Sequence, residues 1–83
     1  MNITKIVEHC PDDMMGDTDT ENCALYRTWL GSQIKAKYPG ATVDVVPEPG
    51  WLEVEGDNVT AAQVDQVERF IQRCWDIYPW NFI

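Results

Sequence analysis

Bases are scarce in this chain. Six lysines and arginines stand against fourteen aspartates and glutamates in 83 residues, for a net charge of −8. Phosphate contact draws on Lys and Arg, so this balance argues against direct nucleic-acid binding. It argues equally against adhesion to an anionic membrane leaflet. Long apolar runs are missing as well. No stretch approaches the length of a membrane span, and Met1-Asn2-Ile3-Thr4-Lys5 does not lead into the apolar core of a signal peptide. A cytoplasmic protein without membrane contact is expected.

Groups that can be poised for catalysis are equally few. Ser32 is the only serine and His9 the only histidine, so no serine triad can be assembled. No glycine-rich phosphate loop is present. His9 adjoins Cys10, and a Cys–His pair can supply a nucleophile and its base. Neighbouring residues on a strand point to opposite faces, however, and do not readily meet. Cys10, Cys23 and Cys74 are odd in number and lack Cys-x-x-Cys spacing, which points to free thiols in a reducing compartment. A Cys10–Cys23 bridge stays open at this level. His9 with the cysteines matches no zinc module. The carboxylates Asp12, Asp13, Asp17, Asp19 and Glu21 miss the ligand spacing of an EF-hand and follow a strand. No metal, no cofactor and no enzymatic activity are expected.

What the chain does have is a set of clear element signals. Ile3 to Val7 reads as a short strand with imperfect alternation, because Ile6 and Val7 are both apolar; Pro11 stops it. A loop rich in turn formers runs from Pro11 to Thr18. Thr18-Asp19-Thr20-Glu21 then matches a capping box. Tyr26, Trp29, Leu30, Ile34 and Tyr38 follow at the three- and four-residue spacing of one buried helical face, ended by Pro39-Gly40. Ala41 to Val46 alternates as a strand, with Ala41, Val43 and Val45 on one face and Thr42, Asp44 and Val46 on the other. Pro47-Glu48-Pro49-Gly50 makes a turn. Trp51 to Glu55 alternates again, with Leu52 and Val54 inward. The short connection predicts an antiparallel hairpin. Thr60 and Gln63 form a second capping box, with Val59 and Val64 as a hydrophobic staple. Val64, Val67, Ile71, Cys74 (with Trp75) and Tyr78 make the buried stripe of that helix, which Pro79 ends. The fold class is α/β (α+β), β-α-β-β-α: one domain over residues 1–83, a two-layer sandwich with both helices on one face of a small sheet. If the first strand pairs parallel to a later one, the first helix is the crossover between them.

Charge is segregated along this layout. From Glu8 to Glu21 there are six carboxylates and no base; from Asp44 to Glu68 there are seven more and again no base. Every base except Lys5 falls within a predicted helix: Arg27, Lys35, Lys37, Arg69 and Arg73. Glu53 and Glu55 share a strand face, where like charges repel by a few tenths of a kcal/mol. Folding gains nothing from that row, and a basic partner would. A chain of this size that is acidic, aromatic-rich and without catalytic motifs resembles the small phage-encoded inhibitors known as anti-CRISPR proteins. The resemblance implies carboxylate rows that occupy a nucleic-acid channel, and it implies no particular fold. The residues expected to face a basic, nucleic-acid-binding partner are Asp12, Asp13, Asp17 and Asp19 in the loop, with Glu48, Trp51, Glu53, Glu55 and Asp57 along the hairpin. The alternative is a small assembly domain, monomer or homodimer, anchored through Trp51, Trp80 and Phe82.

Overall fold

A computed structural model describes residues 3–12 and 20–78. Five elements follow in chain order: strand β1 (Ile3–His9), helix α1 (Thr20–Lys37), strand β2 (Thr42–Val46), strand β3 (Glu53–Gly56) and helix α2 (Ala61–Ile77). The β-α-β-β-α layout expected from periodicity is the observed one. The first strand runs two residues further than its apolar stretch, through Glu8 and His9. The capping box at Thr18 and the C-terminal residues Trp80 and Phe82 lie outside the described residues.

The sheet has the order β2-β1-β3. β1 pairs parallel to β2, with Ile6 opposite Val43, and antiparallel to β3, with Ile6 opposite Val54. This corrects the predicted hairpin: β2 and β3 are not neighbours, because β1 lies between them. Their connection crosses the end of β1 and adds β3 to the far side. The reason lies in burial. A central strand is flanked on both sides, and the adjacent apolar pair Ile6 and Val7 equips β1 for that place; Ile6 is fully buried and Val7 is 9% exposed. The parallel β1–β2 pairing makes α1 the crossover helix.

Ile6, Val43, Val45 and Val54 share the sheet face that the helices cover. α1 contributes Cys23, Tyr26, Leu30 and Ile34 to the core, and α2 contributes Val67, Ile71 and Cys74. Each fully buried aliphatic side chain stabilises by about 1.5–3 kcal/mol relative to exposure. Tyr26 is the aromatic hub: its ring lies 5.5 Å from Trp75 and 5.0 Å from Tyr78, edge-on to both. Lys35 ties the end of α1 to the start of β2, its Nζ donating to the carbonyls of Pro39 (3.2 Å) and Ala41 (2.7 Å). Asn58 (φ 53°) takes the left-handed turn after β3, a conformation Asn tolerates. Thr60 then caps α2: its Oγ1 accepts from the Gln63 amide, and the Gln63 side chain accepts from the Thr60 amide. No helix among the described residues is long and apolar enough to cross a membrane.

Candidate functional site

Among the described residues, neither helix covers the other sheet face. Register places Lys5 between Thr42 and Glu55, and Val7 between Asp44 and Glu53, with His9 beside Val46. Asp44 and Glu53 therefore stand two strand spacings apart, about 10 Å, on either side of Val7. Glu53, Glu55 and Asp44 are all exposed. Neither Asp44 nor Glu55 forms an ion pair among the described residues. Glu48, in the β2–β3 connection, lies beyond one end of β1. Asp57 follows Gly56, which pairs with Ile3 at the other end. Among the described residues, Lys5 and His9 alone offset these carboxylates on the face.

The helical layer is close to balanced in charge. Arg27, Lys35, Lys37, Arg69 and Arg73 are set against Glu21, Asp65, Glu68 and Asp76. The segregation seen along the sequence thus becomes a segregation between layers.

His9 clamps the connection that crosses its strand. Its Nε2 lies 2.9 Å from Glu53 Oε2, and its Nδ1 lies 3.2 Å from the Glu48 carbonyl oxygen. Both partners can only accept, so the ring satisfies both when each nitrogen carries a proton. The bond to Glu53 chiefly, with the Glu48 carbonyl adding, raises the imidazole pKa above its usual value. Gly50 packs against the ring so closely that a Cβ there would lie 2.7 Å from Nδ1.

A cleft of about 420 Å³ opens between the end of β1, the start of β3 and α2. Glu8 is in phase with Ile6, so its carboxylate points toward the helices and into this cleft. Trp51 and Leu52 wall one side; Glu68, Ile71 and Gln72 of α2 wall the other. A recess of about 160 Å³ shares Glu8, Ile71 and Gln72 and reaches Tyr26 and Trp75. Glu8 accepts a bond from the His9 amide (3.2 Å) and has no cation partner among the described residues. Burial raises its pKa, Glu68 adds to the rise, and the His9 amide and ring oppose it. Arg69 also lines the cleft, but its Nε is paired with Asp65 Oδ2 at 2.8 Å.

The structure brings together Glu53 and Glu55, with Glu48 and Asp57 at the two ends of the face and Trp51, 88% exposed, beside the cleft. It places Asp12 elsewhere: Arg27 Nη1 donates to Asp12 Oδ1 (2.7 Å) and to the Cys10 carbonyl (3.0 Å), fastening the start of the loop to α1. Asp13, Asp17 and Asp19 lie outside the described residues. Asp44 and Glu8 were not among the expected site residues. Each was marked by phase: Asp44 alternates with Val43 and Val45, and Glu8 falls two residues after Ile6. Cys10, Cys23 and Cys74 are buried free thiols, so Cys10 and Cys23 are not bridged. Burial pushes the Cys10 thiol up to about 11, far from the range of a reactive thiolate. No group of metal-ligating side chains occurs among the described residues. No protein family model, curated protein or solved structure matches the chain.

Proposed function

We propose that this domain is a non-enzymatic, cytoplasmic protein-binding inhibitor that presents the open sheet face as a nucleic-acid-mimicking surface to a basic, nucleic-acid-handling partner. In this reading it acts as anti-CRISPR inhibitors do, without contacting nucleic acid or membrane itself. The observation that carries it is the row of exposed carboxylates Asp44, Glu53 and Glu55 on one sheet face, with Glu48 and Asp57 at its ends and, among the described residues, only Lys5 and His9 in opposition. Carboxylates at strand and register spacings offer a basic channel a repeated negative charge. Their summed field steers such a partner toward the face and away from the helices. Trp51 supplies an exposed aromatic anchor at the rim.

The test is affinity capture from a cell extract at low and high salt, using the wild-type domain and the double variant Glu53→Lys/Glu55→Lys as baits. Wild type is expected to retain a DNA- or RNA-binding protein at low salt, release it at high salt, and block its nucleic-acid binding. The double reversal is expected to weaken that complex roughly a hundredfold. Capture indifferent to salt, or unchanged by the reversal, sinks the proposal.

A further inference from the structure

We propose that the cleft beneath Trp51 is a pocket for a guanidinium group, filled in the complex by an arginine side chain of the basic partner. This rests on the preceding reading for the identity of the partner, and on the cleft alone for the chemistry. Three kinds of wall converge there. Glu8 projects from the central strand to the helix-covered side, where Ile6 is fully buried, and Glu68 faces it from α2. Leu52 and Ile71 offer apolar surface for the methylene stem of a long side chain. Trp51, open to solvent at the rim, offers an indole face to a cation.

Arginine suits this combination better than lysine. Its guanidinium is planar, gives up water more readily than an ammonium, stacks on aromatic faces and donates to two carboxylates at once. The cation already in reach does not serve, because Arg69 is engaged by Asp65 and its side chain is largely exposed. An arriving guanidinium would relieve the repulsion between Glu8 and Glu68 and give Glu8 the cation it lacks. The cleft adjoins the acidic face through His9 and Gly50, so one basic partner can lie on the face and insert a side chain at its end.

The experiment uses a small probe in place of the partner. N-acetyl-arginine amide and its neutral isostere N-acetyl-citrulline amide are titrated into the labelled domain, with NMR of the Glu8 carboxyl carbon and the Trp51 indole N–H. Saturable shifts of both signals by the arginine amide are expected, with citrulline at least about tenfold weaker. Glu8→Gln should weaken arginine about tenfold as well. Trp51→Ala, at a position 88% exposed, should weaken it several-fold. Glu21→Gln, exposed in the first turn of α1 and absent from the cleft walls, should leave it unchanged. Equal shifts by both amides, or an arginine affinity untouched by Glu8→Gln, overturns the pocket. If arginine titrates as expected while the salt test of the sheet face fails, the pocket stands and the nucleic-acid-mimic reading falls. If the face passes and Glu8→Gln changes nothing, only the pocket falls.

Discussion

Along β1 the side chains of Ile6 and Val7 leave the backbone in opposite directions and meet unlike surroundings. Ile6 enters a core closed by both helices, between Val43 and Val54. Val7 lies between Asp44 and Glu53 on the face that neither helix among the described residues covers, and is 9% exposed. One surface is organised by packing and the other by charge. The covered face is satisfied internally: its apolar side chains interdigitate, and no buried polar side-chain atom among the described residues lacks a partner. The open face is left with like charges in neighbouring positions. A surface that holds the fold together can be read from contacts. One that folding does not need is the face proposed to meet a partner.

The largest expected contrast is in stability. Ile6→Ala should cost about 2–5 kcal/mol, since the site is central and fully buried. Glu55→Gln, on the opposite face and directly beside β1, should stay within about 0.5 kcal/mol, because the repulsion it relieves from Glu53 is offset by the loss of its cross-strand neighbour Lys5. Urea unfolding of both variants measures the difference. Similar losses would mean that the open face contributes to folding, and the division would break.

A smaller effect is expected where the two surfaces meet. Gly50→Ala puts a methyl group against the His9 ring and should displace it from Glu53 and Glu48. The wild-type imidazole has its pKa raised chiefly by Glu53, so the clamp contributes fully below the ordinary value of 6.5 and is lost as pH rises through the higher folded value. In Gly50→Ala the titration should fall back toward 6.5, with a loss of stability smaller than that of Ile6→Ala and confined to acid and neutral pH. His9 is the only histidine, so one NMR titration decides it. An unchanged titration would remove the clamp from the account.

Much of this organisation was legible in the residues. The Thr60–Gln63 capping box and the stripe from Val67 to Tyr78 are local patterns, and α2 follows them. The phases of β2 and β3 were also legible, because alternation decides which side a residue faces. Strand order was not, since periodicity says nothing about which strand lies alongside. Pro47-Glu48-Pro49-Gly50 suits a tight turn, yet the same segment crosses the end of β1 and leaves β2 and β3 apart. The clue was the apolar pair Ile6-Val7, which an edge strand with one wet face does not need. Ending that strand at Val7 hid the inward phase of Glu8 and the reach of His9 toward the connection. Both depend on contacts between residues about forty or more positions apart in the chain.

Glu8 carries the acidity of one surface into the other, and it gives the finest test of the comparison. Burial raises its pKa, with Glu68 adding to the rise, so the folded domain favours the protonated form more than the unfolded chain does. Below the ordinary carboxyl value of 4.5 both states hold the proton, and no penalty arises. As pH climbs from there through the raised folded value, ionisation costs stability, and the cost persists at neutral pH. Glu8→Gln removes that titration without changing the side chain's shape. It should match wild type below pH 4.5 and exceed it at neutral pH, as urea midpoints across that range would show. A Gln variant less stable than wild type at neutral pH would mean that the ionised Glu8 already has a stabilising partner within the fold. The cleft would then have no need of an outside cation, and the boundary between the packed and charged surfaces would lie elsewhere than at this residue.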